Sequence, residues 1–224
     1  MKRKIASLLC ISLAVSGCVS TGSADGKRSM DNTEKGALIG ALGGAALGAA
    51  VSKKNRGKGA LIGAVGGGLA GGAIGNYMDR QKQDLEKSLQ AERDAGAVKV
   101  EKLPGDVVKI TMTSQTAFDS GSSSLKPGFA PTMDKLAKVV TQYGKTELTV
   151  IGHTDADGTN QANQELSLKR AHAVTDYLKS RNVHHERLEA VGKGEADPIA
   201  DNKSEAGRKA NRRVEILVEP VRAE

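Results

Sequence analysis

Ile151-Gly-His-Thr-Asp-Ala-Asp-Gly158 closes an apolar run that begins at Glu147 and opens onto a helical pattern over residues 160–181. A short apolar alternation, a turn rich in Gly and Asp, then Leu166, Ala173, Val174, Tyr177 and Leu178 facing inward read as strand, turn and helix. Such a turn offers free backbone N–H groups and the positive end of the helix dipole, which favour a carboxylate ligand, and it contains Asp155. Gly152 and Gly158 let it bend. Arg170 lies four residues after Leu166 and four before Val174, on or beside the apolar stripe of its helix. A guanidinium there needs an anion to offset desolvation, and it meets a carboxylate as a two-pronged donor. Spacing leaves two readings open: an internal Arg170–Asp155 ion pair, or two opposite charges that clamp one small bipolar ligand.

Strand and helix patterns continue on both sides of this unit. Residues 106–112 alternate apolar and polar; residues 125–140 carry Phe129, Met133, Leu136 and Val140 at helical spacing; residues 187–191 and 214–219 supply further strands. Residues 97–220 are long enough to bury one core without disulfides. The alternation requires crossover connections, so the expected fold is an α/β (α+β) two-layer domain, a mixed sheet packed with helices.

Upstream, residues 1–17 read as an export signal: Lys2-Arg-Lys4, an apolar run, then Ser16-Gly17 ahead of Cys18. Val15-Ser16-Gly17-Cys18 resembles a bacterial lipobox, which makes Cys18 the lipidation site for thioether-linked and amide-linked acyl chains such as palmitate. Each buried methylene adds about 0.8 kcal/mol of membrane affinity, so two or three chains hold the protein on the membrane. Val19 follows where an aspartate is absent, as in lipoproteins sorted to the outer membrane. Cys10 leaves with the signal and Cys18 is consumed by lipid, so no thiol remains for a disulfide.

Residues 18–34 read as a flexible tether. Lys35-Gly-Ala-Leu-Ile-Gly-Ala-Leu-Gly-Gly44 then recurs as Lys58-Gly-Ala-Leu-Ile-Gly-Ala-Val-Gly-Gly67, an offset of 23 residues. Glycine repeats every fourth residue at 36, 40, 44 and 48, and again at 59, 63, 67, 71 and 75. In a helix this places the glycines on one side, a groove that another helix can approach closely. Residues 35–77 are therefore expected to form a glycine-zipper helical hairpin that self-associates, lies in the membrane interface or crosses with tilt. Residues 78–96 turn strongly charged, with Met78, Leu85 and Leu89 interspersed, and read as a solvated helical stalk.

Charge and composition limit the partners. The formal net charge is +7, and residues 1–17 contribute three cations and no acid, which leaves +4 after export. With no Trp, two Phe and three Tyr, the chain lacks the aromatic surface that nucleic-acid binding uses for stacking, so nucleic acid is not an expected partner.

Gly152-His-Thr-Asp155, Gly158, Asn163, Leu166-Ser167, Arg170-Ala171, Gly192, Pro198, Asn202, Gly207 and Asn211-Arg-Arg-Val-Glu215 together resemble the OmpA-like C-terminal, peptidoglycan-binding domain, found also in peptidoglycan-associated lipoproteins and flagellar motor stators. The whole arrangement of lipobox, glycine repeat and C-terminal domain is similar to the YiaD-type outer-membrane lipoproteins. The resemblance implies a ligand, the diaminopimelate of the peptidoglycan stem peptide, whose free end carries an ammonium and a carboxylate on one carbon. It implies that Asp155 receives the ammonium and Arg170 clamps the carboxylate, with Asn163 in support, Thr154 and Leu166 lining the pocket, and Arg212 reinforcing the carboxylate side. Phe118 and Asp119 resemble the family's first-loop pair, where backbone N–H groups meet the ligand. The implied protein is a non-enzymatic, lipid-anchored outer-membrane protein whose C-terminal domain lies in the periplasm, with no cofactor and no metal. An alternative makes the glycine-zipper hairpin the active part, an oligomerising element that alters envelope permeability.

Enzymatic motifs are incomplete. Ser123-Ser-Leu-Lys126 contains the S-x-x-K string of serine acylases without its companion motifs. His153, Asp155 and Asp157 match no strong metal spacing, and His184-His185 reads as a solvated turn.

Overall fold

The computed structural model describes residues 71–119 and 121–222. The signal, Cys18, the tether and the glycine repeat up to residue 70 lie outside the described residues. The chain enters as helix α1 (Gly71–Ser88), followed by α2 (Gln90–Asp94), the hairpin β1 (Val98–Leu103) and β2 (Val107–Thr113), and the short α3 (Ser114–Ala117). Then come α4 (Ala130–Gln142), β3 (Thr146–Gly152), α5 (Asn160–Ser180), β4 (Leu188–Gly192), α6 (Glu205–Asn211) and β5 (Arg213–Pro220).

The five strands form one sheet in the order β1-β2-β5-β3-β4. β3 and β4 are parallel, joined by the α5 crossover, and the remaining neighbours are antiparallel. Residues alternate across the sheet with period two, so each strand offers one apolar face. Val108, Ile110, Met112, Leu148, Val150, Val214, Ile216 and Val218 are buried on the helix side, against Met133, Leu136 and Val140 of α4 and Ala171, Val174 and Leu178 of α5. On the opposite face Lys109, Thr111, Thr149, Ile151, Glu215 and Leu217 remain half-buried. The mixed two-layer architecture is the expected one; β1 and α6 are elements that the hydropathy pattern did not reveal.

The stretch expected as a solvated stalk is docked on the domain. Ile74, Met78, Gln81, Leu85 and Leu89 succeed one another at three- or four-residue steps, a single helical stripe, and all five are buried. Tyr77 and Tyr143 meet edge to face, with ring centres 5.3 Å apart. The Tyr143 hydroxyl donates to Asp84 at 2.5 Å, the Lys145 backbone N–H donates to the Tyr77 hydroxyl at 3.0 Å, and Glu92 accepts from Lys135 at 2.7 Å. Burial and the Asp84 hydrogen bond push the Tyr143 phenol up to about 12. Charged residues dominate the composition of this segment, yet they occupy the outer faces. Each apolar side chain on the inner stripe contributes about 1.5–3 kcal/mol by leaving water.

The end of the expected glycine hairpin, residues 71–77, thus belongs to α1. A Cβ placed on Gly75 would meet only Asp106 Oδ1, at 3.8 Å, so at this position no second helix among the described residues uses the glycine groove. Nor is any described helix long and apolar enough to cross a membrane.

Candidate functional site

β3 delivers its last residue, Gly152, directly under α5. A Cβ there would lie 2.0 Å from the Ser167 carbonyl oxygen, so only glycine permits this approach of strand to helix. The chain beyond stays tied to its neighbours: His153 N–H donates to Arg213 O at 2.9 Å and Thr154 N–H to Gly194 O at 2.8 Å. Asp155 follows, 7% exposed. Asp157 N–H donates to its Oδ1 at 3.3 Å, and Asn163 Nδ2 donates to its backbone oxygen at 3.3 Å and to Glu195 at 2.5 Å. Gly158 sits at φ +100°, and the Thr159 hydroxyl caps α5 by accepting from Ala162 N–H.

Arg170 projects from α5, 4% exposed. Its Nε donates to Ser122 O at 2.9 Å, and its guanidinium carbon stands 5.3 Å from the centre of the Phe118 ring. It makes no ion pair with any described residue. Burial pushes its pKa down; attraction from Asp155 opposes this, and repulsion from Arg212 adds to it. The internal Arg170–Asp155 pair is therefore not formed. Asp155 is held instead by Arg212, whose Nη1 donates to Oδ2 at 2.5 Å while Nη2 donates to Glu205 at 2.8 Å. These hydrogen bonds, Glu205 first and Asp155 next, raise the Arg212 pKa. Arg212 was expected on the carboxylate side of a ligand; here it stands on the acid.

A cavity of about 560 Å³ gathers these groups. Asp155, Arg170, Asn163, Thr154, Leu166, Arg212, Phe118 and Asp119, the eight residues singled out from the sequence, all line it. Besides Arg212, one further local role differs from expectation. Phe118 N–H is spent on Ser114 O at 2.7 Å, so this amide is not free to meet a ligand. Asp119 is exposed and 3.6 Å from Lys126.

Further wall residues, Ser114, Gln115, Lys126, Asp157 and Glu205, were not anticipated. Ser114 could have been found from strand parity. Met112, Val214 and Gly152 form one buried row across β2, β5 and β3, and one step further along the same face come Ser114, Arg212 and Thr154. The hydroxyls of Ser114 and Thr154 are buried without hydrogen-bond partners among the described residues. Lys126 of the S-x-x-K string donates to Gln115 O at 2.8 Å and makes no bond to Ser123. No three described His, Cys, Asp or Glu side chains converge as metal ligands.

Next to the cavity residue Thr154, His153 is buried, and both its ring nitrogens lack hydrogen-bond partners among the described residues. Its environment is ionic: Arg213 Nε donates to Glu215 at 2.7 Å, and His153 Nε2 lies 3.9 Å from the same carboxylate. Desolvation, reinforced by Arg213, lowers the His153 pKa to about 4, against an opposing pull from Glu215 and Asp197. Asn211, fully buried, fixes the loop before α6 by accepting from Ile199 and Ala200 N–H and donating to Ala200 O and Asn202 Oδ1.

A buried arginine and an acid facing one cavity at the end of this five-stranded sheet define an OmpA-like domain. The OmpA family profile matches residues 117–212, and the YMGG-like Gly-zipper profile matches residues 1–79. The Escherichia coli (strain K12) protein named "Probable lipoprotein YiaD" is 41% identical over 218 residues, 97% of either chain. Among solved structures, the cell wall anchor of the T6SS from Pseudomonas aeruginosa is 31% identical, with TM-score 0.56, covering 61% of this chain and 96% of its own. A MotB like protein from Desulfovibrio vulgaris, 24% identical with TM-score 0.59, covers 66% and 96% and shares the fold. The chain belongs to the OmpA family, in its YiaD-type lipoprotein branch with an N-terminal glycine zipper. It is a non-enzymatic member.

Proposed function

We propose that the protein binds peptidoglycan noncovalently through the diaminopimelate of the stem peptide and so anchors the outer membrane to the cell wall. The observation that carries this reading is Arg170, a buried guanidinium without an ion pair among the described residues, facing the same cavity as Asp155. A zwitterionic carbon needs one cation and one anion a few ångströms apart, and partial enclosure strengthens both contacts. A relative at 31% identity is itself named a cell wall anchor. In this reading Asp155 takes the ammonium, Arg170 the carboxylate, and Asn163 holds the Asp155 turn, while Thr154, Leu166, Phe118 and Asp119 shape the wall. Residues 1–17 are the signal, Cys18 carries the lipid, 18–34 is the tether, 35–77 includes the membrane-associated glycine zipper, and the folded periplasmic unit begins in α1.

The test is co-sedimentation of residues 71–224 with purified peptidoglycan. A fragment beginning at residue 97 would bare the core that α1 covers. Asp155→Ala and Arg170→Ala are expected to abolish sedimentation while leaving the circular dichroism spectrum unchanged. Peptidoglycan built on lysine lacks the bipolar carbon; undiminished binding to it would overturn the ligand assignment.

A further inference from the structure

The acid that this reading assigns to the ligand ammonium already holds a cation. Asp155 Oδ2 accepts from Arg212 Nη1 at 2.5 Å, and its Oδ1 accepts from Asp157 N–H at 3.3 Å, so both oxygens are engaged. Arg212 is bridged to a second acid, Glu205, through Nη2 at 2.8 Å, and Glu205 is steadied by Arg208 at 2.7 Å. Arg170, lining the same cavity, has the Ser122 carbonyl and the Phe118 ring as partners and no directly bonded carboxylate among the described residues.

We infer that Arg212 is a specificity residue that competes with the ligand ammonium for Asp155 and thereby makes the site respond only to a ligand bearing both charges. The inference rests on the zwitterion reading above. An incoming ammonium exchanges one cation for another on Asp155, which by itself yields little. Exchange frees Arg212 Nη1 inside a half-enclosed cavity, where a stranded charged donor is unfavourable. Nη2 stays with Glu205, so the side chain is released without leaving the cavity rim. A carboxylate on the same ligand carbon then satisfies Arg170 and the freed Arg212 donor together. An amine without a carboxylate displaces Arg212 and gives nothing back, and a carboxylate without an amine finds Arg212 still locked on Asp155.

Isothermal titration of the purified full-length protein in detergent tests this with two probes, meso-diaminopimelate and 1,5-diaminopentane, its decarboxylated counterpart. The wild type is expected to bind diaminopimelate and to discriminate strongly against the diamine. Arg212→Gln is expected to reduce the ratio of the two affinities by about tenfold, because the diamine no longer faces a competitor. Arg212→Lys keeps a cation at this position and is expected to retain most of the discrimination, an outcome that a purely structural role would not produce. Arg212 is a partly exposed side chain at the cavity rim, and thermal melting checks that each variant folds. A wild type that binds diaminopimelate, combined with an unchanged ratio in Arg212→Gln, overturns the competitor role alone. A wild type blind to diaminopimelate overturns the zwitterion reading and this inference with it.

Discussion

The docking face of α1 and the wall of the cavity are both shielded from water, and they are stabilised by opposite means. On α1 the stripe of Ile74, Met78, Leu85 and Leu89 is apolar apart from the buried Gln81 amide, which has no hydrogen-bond partner among the described residues, and the polar links, Tyr143 to Asp84 and Lys145 to Tyr77, sit at its margins. At the cavity, burial falls on Asp155, Arg170, Ser114 and Thr154, with no ion pair to Arg170 and no hydrogen bond to the Ser114 and Thr154 hydroxyls among the described residues. The first surface is stabilised chiefly by apolar burial. The second holds desolvated polar groups ready for a partner, the arrangement expected where function is bought with stability. Substitutions in the two regions should therefore separate folding from binding.

Leu85→Ala gives the largest expected effect. Leu85 is fully buried between α1 and the domain, and truncating such a side chain costs about 2–5 kcal/mol through lost burial and the cavity left behind. Urea denaturation of residues 71–224 should show this loss, while the protein that remains folded still sediments with peptidoglycan. A loss below about 1 kcal/mol would mean that α1 is not docked in solution, restoring the solvated stalk.

His153 gives an intermediate effect, visible as pH dependence. Its folded pKa of about 4 lies below the ordinary value of 6.5, because desolvation and then Arg213 disfavour the charged ring. The fold therefore prefers neutral histidine. The stability is fully present above pH 6.5 and declines as pH falls toward 4, where the unfolded chain takes up a proton that the folded chain refuses. Linkage puts the loss between pH 7 and pH 5 at about 2 kcal/mol. His153→Phe should flatten the stability profile over this interval; an equally steep profile in the variant would assign the acid sensitivity to other groups.

The contrast also explains which parts were legible in the sequence. The strand, turn and helix around Asp155 are local patterns: alternation over residues 147–151, Gly152 and Gly158 at the bend, and the stripe that ends in Leu178. Convergence of Phe118 and Arg212 on the same cavity came from resemblance, since β2 and β5 become neighbours only through long-range pairing. The α1 stripe was misread because Gln81 interrupts its apolar character and surrounding charges dominate the average. Its partner surface on and just after α4 is distant in the chain, 59 residues away for Tyr143 and Asp84. The partner of Asp155 was not legible at all. Motif matching places Arg170 and Arg212 near the acid, and only side-chain geometry decides between them.

Arg170→Met is expected to have the smallest effect on stability and a complete effect on binding. The guanidinium is buried, engages Ser122 O through one hydrogen bond, and makes no ion pair among the described residues, so its desolvation is opposed by the attraction of Asp155 without a direct bond. Methionine has similar length, can fill the space beside Phe118 and keeps a favourable sulfur–aromatic contact, while removing the buried charge. The loss of the hydrogen bond and of the cation–π contact opposes this gain, so the net change should stay within about 1 kcal/mol of zero. Thermal unfolding measures it, and co-sedimentation of the same preparation should fail. A destabilisation of more than about 2 kcal/mol would show that Arg170 is retained to hold the Ser122 loop against α5, and would move it from the binding side of the comparison to the folding side.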